Sequence, residues 1–287
     1  MIQIAGAEAP IDVSQLSMLE RQILQQKQLS PQLYNYDNVE ELLFELKLRA
    51  ATVQAAVDLG RSGARFDTLR KSRANWMYWS RTPVGGFLLN PGVRPSQAIR
   101  DIFYNGGLYV FECAAAVIII LYKAVVDVIG DDMFDRYFDN LNLITTNSDP
   151  DLGLTTIRTT TEMYPGDILY FNNPDFDRNK PEWAGENVVK VGDNAYFGHG
   201  IGVQPAEIII RDLNRLRRFW ARRSAYMLNQ ATFPNFKHLY SLSKGLSGST
   251  FPARGQRQRL AVGGQEAAGV LIRIGARPVS DSAVPFR

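Results

Sequence analysis

The sequence predicts an α+β fold in which a buried central helix packs on an antiparallel sheet. Three observations predict it. Apolar residues recur at helical spacing over roughly the first half of the chain. Beyond about residue 141 the period shortens to that of strands, separated by Gly, Asn and Asp turns. The segment 110–129 is apolar nearly all round, so it must be buried on most sides. Helices first and strands second is the order of an α+β chain.

The elements follow in order. Residues 14–29 read as a first helix, with Leu16, Leu19 and Ile23 at helical spacing and Pro31 as the stop. Asn38 followed by Glu41 predicts a capping box, opening a stronger helix with Leu42, Leu43, Leu46, Ala50 and Val53. Ser62-Gly63 marks a turn, and 76–95, rich in Pro, Gly and Trp, reads as irregular. Pro95-Ser96 starts a short helix through Ile99, Ile102 and Phe103, broken at Asn105-Gly106-Gly107. The central helix, 110–129, is closed by Gly130, and another covers 131–141. Leu141–Thr145, Asp167–Phe171, Asn187–Val191, Ala195–Phe197 and Glu207–Ile210 read as strands, with turns at Pro165-Gly166 and Gly192–Asn194. A helix over 211–230 closes the body, with Leu213, Leu216, Trp220 and Met227 as its core stripe. Its wet face carries Arg211, Arg215, Arg217, Arg218, Arg222 and Arg223. Those arginines, interleaved with Phe219 and Trp220, could serve nucleic acid, but the amphipathic helix is the preferred reading and no nucleic-acid partner is expected.

Composition sets the class. With 45% apolar and 21% charged residues in 287, the chain is ordinary for a soluble globular protein. From Lys244 onward seven basic residues face two acids, so the net +3 divides into +5 for the tail and −2 for the body. The body, 1–243, is expected to be one domain with the helices of 1–60 integral to it. The Gly-, Ser- and Arg-rich segment 244–287 is expected to be a largely mobile tail. A single cysteine excludes an internal disulfide. No basic start precedes an apolar run, so no secretory signal is expected. The longest apolar run, Ala114–Tyr122 between Glu112 and Lys123, falls short of the about 20 residues of a membrane span, and none is expected.

Cys113 is the first candidate for chemistry. A lone cysteine is more often an inert buried hydrophobe than a nucleophile. Yet this one stands near the start of the central helix, where unpaired N–H groups and the helix dipole favour an anion, so a lowered thiol pKa is expected there. Glu112 beside it reads either as a first-turn acid facing the dipole or as an acid with a task. His199, flanked by Gly198 and Gly200, is either a base or orienting group for the cysteine or a turn histidine satisfied by backbone. Glu186, at the entry of a strand beside Trp183, is either a solvated loop acid or a partly buried one. His238 has no such context and reads as structural. No CxxC pair or HExxH is present, and no phosphate loop. A calcium loop from Asn147 fails, with Arg158 standing where the bidentate Glu belongs. No cofactor or metal is expected.

Three blocks then stand together: Phe111-Glu-Cys-Ala, Gly185-Glu-Asn-Val-Val and Tyr196-Phe-Gly-His-Gly-Ile-Gly. With Phe44-Glu-Leu-Lys-Leu-Arg, Ser62-Gly-Ala and Gly166-Asp-Ile-Leu-Tyr-Phe, their order and spacing over about 36–233 resemble the spore-coat transglutaminases of Bacillus and its relatives. The resemblance implies a papain-like core related to cell-wall cysteine peptidases. It implies calcium-independent γ-glutamyl transfer: Cys113 attacks a glutamine carboxamide, ammonia leaves, and a lysine amine converts the thioester to an isopeptide. Glu186 would be the main acid–base partner, Glu112 a second, partly redundant carboxylate, and His199 the active-site histidine. The partners implied are proteins with reactive Gln and Lys, spore coat proteins among them. The location implied is the mother-cell cytoplasm and then the coat. The tail beyond about 243 departs from the family, and nothing is carried over to it.

A glutamate in this role carries a physical condition. Free Glu and Cys titrate about 4 pH units apart, roughly 6 kcal/mol against proton transfer. Glu186 therefore serves only if burial raises its pKa. Water must also be kept from the thioester, and Trp183, Trp76 and Trp79 are the expected walls of the substrate tunnel. A papain-like hydrolase of cell-wall peptides, with His199 as the base for Cys113, is the alternative activity. A non-catalytic coat protein is the third reading.

Overall fold

The computed structural model describes residues 1–246, apart from position 9 and 145–147. The greater part of the predicted tail, 247–287, lies outside the described residues.

In chain order the elements are β1 (Ile2–Ile4), α1 (Met18–Leu29), β2 (Tyr34–Tyr36), α2 (Val39–Arg61), β3 (Arg65–Phe66), β4 (Trp79–Arg81), β5 (Phe87–Leu89), α3 (Pro95–Tyr104) and β6 (Val110–Phe111). There follow α4 (Cys113–Ile129), α5 (Asp131–Tyr137), β7 (Asn142–Leu143), β8 (Thr155–Arg158), β9 (Ile168–Asn172), β10 (Gly185–Gly192) and β11 (Ala195–Gly198). The last are β12 (Gly202–Gln204), α6 (Ala206–Arg215), β13 (Tyr226–Met227), β14 (Gln230–Phe233) and α7 (Phe236–Ser243).

Local chemistry sets several boundaries. Ser17 and Glu20 form a reciprocal capping box, so α1 starts at Met18 and not at 14. At α2 only half of the predicted box forms. Asn38 accepts the Glu41 N–H, but the Glu41 carboxylate takes the N–H of Asp37, one residue further out. Pro95 opens α3 at a position where its missing N–H costs nothing. The central helix begins at Cys113, because 110–111 form a strand parallel to β3. Every side chain of α4 from Cys113 to Val126 is buried, as its composition requires. Gly130 ends it at φ +86°, a value that favours glycine.

Two expectations are corrected. The stretch 76–95 contains β4 and β5, which pair antiparallel with each other, β5 pairing in turn with β7. The predicted strand Glu207–Ile210 is the first part of α6, and the predicted helix 211–230 ends at Arg215. The run Ile208-Ile209-Ile210 has strand character locally, but tertiary burial decides. Ile209 and Leu213, one helical turn apart, are the buried pair. Beyond Arg215, Trp220 has φ +63° and is 82% exposed, so the predicted core stripe does not form. β13 and β14 occupy its second half.

The main sheet runs β12-β11-β10-β9-β14-β8, with β13 also on β9, and its pairings are antiparallel. Its two faces serve different cores. Ile168, Val189 and Phe197 join the main core with α2, α3 and α4. Leu169, Phe171, Val188 and Tyr196 face the other way, against Ile209 and Leu213 of α6. Because side chains alternate along a strand, Asn187 lies on the α4 side of β10 and Glu186 on the α6 side. A buried ionic network ties α1 and α2 to the sheet. Lys27 meets Glu45 at 2.9 Å, and Arg49 meets Glu45 at 2.8 Å and Asp167 at 2.6 Å.

Candidate active site

Cys113 is the first residue of α4, and Glu112 is the residue before the helix. The sulfur is buried and has a partner the sequence reading did not assign: the Asn187 side-chain amide donates to Sγ at 3.5 Å. Burial pushes the thiol pKa up, and the nearby Glu186 carboxylate pushes it further. The backbone and side chain of Asn187 pull it down, and Glu112 adds a smaller upward push. The helix start therefore does not outweigh desolvation, and the resting group is a neutral thiol. The expected lowering of the pKa is corrected in direction.

Glu186 is 1% exposed. Among the described residues neither of its carboxyl oxygens has a hydrogen-bond partner. Burial alone raises its pKa well above the usual carboxylate range. Two features make room for it. A Cβ on Gly198 would stand 2.7 Å from Ile201 and 2.8 Å from Glu186 Oε1, so a side chain there must push one or both aside. Beside it lies a cavity of about 20 Å³, lined by Trp183, Ile201, Ile209, Asp212 and Leu213. That volume admits one molecule of the size of water. The walls are braced by buried Asn173, whose side-chain amide donates to the carbonyls of Trp183 (3.0 Å) and Leu213 (3.1 Å).

Glu112 is half-buried, and burial pushes its pKa up to about 7. His199 follows β11 and is 4% exposed. Its ring stacks on Phe111 at 4.5 Å and meets Phe66 edge-on at 6.2 Å. Burial lowers its pKa to about 4 against the pull of the Arg65 and Phe111 backbone, so the imidazole is neutral. Gly200, at φ +100°, carries the chain past Phe66, whose Cβ would lie 2.7 Å from any side chain there.

The structure thus gathers the four predicted polar residues around the start of α4 and the β10–β11 pair, but not as a hydrogen-bonded chain. Trp183 borders the cavity beside Glu186 and leans on Phe66 at 5.3 Å between ring centroids. Trp79 is buried in the main core. Trp76 is 81% exposed, so it is not the buried wall expected of it. His238 is buried and its Nε2 stands 3.0 Å from Asp151, a structural pairing. Asn187, Phe66 and Phe111 gained no role from the sequence alone. The signal for Asn187 was available: a polar residue inside Asn-Val-Val, on the same face as a core valine. Among the described residues no group of three His, Cys, Asp or Glu could hold a metal ion, and no helix is long and apolar enough to cross a membrane.

The family model described as "Protein-glutamine gamma-glutamyltransferase" matches residues 1–243. The mixed helix-and-sheet fold accompanies that match, and the chain belongs to this family of acyltransferases. Among particular relatives, it is 40% identical over 233 residues to a protein-glutamine gamma-glutamyltransferase of Halalkalibacterium halodurans, covering 81% of this chain and 82% of the other. It is 44% identical over 203 residues to that of Bacillus subtilis, covering 71% and 82%. A solved structure, a transglutaminase from Geobacillus stearothermophilus without its C-terminal extension, superposes with a TM-score of 0.69 at 48% identity, covering 71% of this chain and 98% of the other.

Proposed function

We propose that Cys113 is the nucleophile of calcium-independent glutamine–lysine cross-linking, with Glu186 as the group that exchanges its proton. The observation that carries this is a buried carboxyl, without a hydrogen-bond partner among the described residues, near enough to the chain's single thiol for its charge to raise that thiol's pKa. A buried carboxyl without a partner costs the fold stability, so its place calls for a reason beyond packing. Its raised pKa narrows the gap of about 4 pH units that would make an exposed Glu a poor base for a thiol. Burial raises Cys113 as well, and the Asn187 amide offsets part of that by favouring the thiolate.

Glu186 in its carboxylate form takes the thiol proton through one intervening water, since no direct hydrogen bond joins the two groups. Sulfur adds to the glutamine carboxamide carbon. Backbone N–H groups at the start of α4 hold the oxyanion. The C–N bond breaks as Glu186 protonates the leaving ammonia. A lysine amine then attacks the thioester, gives its proton to Glu186, and the thiol is restored. Glu112, pushed to about 7, is the second carboxyl able to exchange protons near the sulfur. His199 orients through Phe111 and does not act as an imidazolium.

The core is read as papain-like and the substrates as spore coat proteins, after the resemblance and the Bacillus relatives. A hydrolase using a Cys113–His199 ion pair is disfavoured, because His199 stacks on Phe111 and burial holds it neutral. Incubation with a glutamine donor and a fluorescent amine tests the proposal. Wild type is expected to incorporate the amine and Cys113→Ala is not. Hydrolysis without any amine incorporation would overturn it in favour of the hydrolase.

A further inference from the structure

We propose that the loop 217–223 is a docking knuckle for acidic, apolar-flanked segments of the protein substrate. The inference rests on the transfer reading above and extends it to substrate class. Phe219 and Trp220 stand 83% and 82% exposed, their rings 4.9 Å apart and edge to face. Two large adjacent aromatics directed into water contribute nothing to a core. The backbone is strained to hold them there, with Trp220 at φ +63°, a region bulky residues rarely enter.

The strain is over-determined by one buried carboxylate. Asp175, 3% exposed, accepts the backbone N–H groups of Arg222 and Arg223, each at 2.9 Å. The side chains of Arg223 (2.9 Å) and Arg218 (3.4 Å) meet its other oxygen. Arg217 donates to the Arg223 carbonyl at 2.9 Å, closing the loop on itself. The rings are therefore presented on a rigid base, which lowers the entropic cost of binding.

Charge identifies the partner. The loop itself holds Arg217, Arg218, Arg222 and Arg223 and no acid, and the ion pairs of Arg218 and Arg223 go to the single carboxylate of Asp175. Among the described residues the Arg222 side chain has no ion pair. Aromatic rings ringed by arginine are the composition of protein-binding hot spots, and an excess of positive charge selects an acidic chain. Position identifies the use. The loop continues directly from α6, whose Ile209, Asp212 and Leu213 line the cavity beside Glu186. A substrate held by the knuckle is held at the end of the element that walls the Glu186 cavity, and because its reactive parts are a glutamine and a lysine on proteins, the occupant is a polypeptide.

Binding is measured on the full chain carrying Cys113→Ala, so that no turnover intervenes. The probe is a fluorescent Glu/Asp-rich peptide with two leucines and no glutamine. It is expected to bind with an affinity that falls as salt rises, while a Lys-rich counterpart does not bind. Phe219→Ala/Trp220→Ala and Arg222→Glu are each expected to weaken binding about tenfold, the scale of a hot-spot side chain. In the active enzyme the same changes should raise KM for an acidic glutamine donor and leave turnover of a glutamine dipeptide unchanged. Equal binding by all variants, or no binding by the parent, overturns the proposal. So does capture of an anionic vesicle or an RNA oligonucleotide in place of the peptide. Absence of dipeptide turnover in wild type would instead refute the transfer reading and leave the binding result intact.

Discussion

At the scale of single residues, the site depends on what is missing as much as on what is present. Gly198 has no side chain, and the Glu186 carboxyl and Ile201 share that space. Gly198→Ala is expected to displace the carboxyl and lower amine incorporation about as much as Glu186→Gln, which should lose on the order of 10²–10⁴-fold in kcat, the usual worth of a general acid–base group. Glu112→Gln should lose less, since Glu112 is less buried and titrates near neutrality already. Equal, wild-type rates for both Gln variants would refute the carboxylate assignment. Asn187 gives a separate test, because it touches the sulfur and, among the described residues, none of the predicted site residues does so by a hydrogen bond. A hydrogen bond to a charged group contributes about 1.5–3 kcal/mol, so Asn187→Ala should lower kcat/KM roughly 10- to 100-fold. It should also shift the pH profile of thiol alkylation upward, because the Asn187 side chain adds to its backbone N–H in pulling the thiol pKa down, and only the backbone part survives the substitution. Alkylation rates across pH check this, and an unchanged profile would remove Asn187 from the site.

At the scale of elements, α1, α2 and the sheet are joined by Lys27, Glu45, Arg49 and Asp167, buried at 2–5% exposure or less. Arg49 is the cation nearest Asp167 and the second cation on Glu45. Arg49→Met would leave Asp167 buried without that charge, a loss of about 3–5 kcal/mol. In a body of this size that lowers Tm by on the order of 10 °C, read by a thermal scan. The sequence shows why such links were hard to foresee. Period and caps identified α2, α3 and α4 and the strands β9, β10 and β11, because these elements are long or strongly apolar. Strands of two or three residues, such as β4, β5 and β13, carry too little pattern to read. At α6, three consecutive isoleucines favour a strand locally, and only the burial of Ile209 with Leu213 settles the helix. The candidate site was legible in its blocks, since Cys113, Glu186 and His199 each sit in an unusual local context. What the blocks could not give was the side of the sheet. Adjacent residues Glu186 and Asn187 point to opposite faces, and the thiol's hydrogen bond goes to the one not singled out.

At the scale of the whole molecule, stability against pH should record the conflict between folding and chemistry. Glu45 is buried, yet the Lys27 and Arg49 charges outweigh that burial and hold its pKa down to about 2. Its contribution is present above the unfolded value of 4.5 and is lost as pH falls toward 2. His199, lowered from 6.5 to about 4, likewise favours the fold above 6.5 and is lost as pH falls through 4. Glu112 and Glu186 act in the opposite sense. Their folded values are raised, so they favour the fold only below 4.5, and that contribution fades as pH rises, through about 7 for Glu112. At pH 8 the unfolded chain ionises both carboxyls freely, while the folded chain resists ionising them. Removing the charge removes that disadvantage. Glu112→Gln/Glu186→Gln is therefore expected to be nearly inactive yet to melt higher than wild type at pH 8. The difference should vanish near pH 4, where both carboxyls are largely protonated in either state. Calorimetry at the two pH values checks it. A double variant less stable than wild type at pH 8 would mean that Glu112 and Glu186 find stabilising partners in the fold, and the site would then be structural and not chemical.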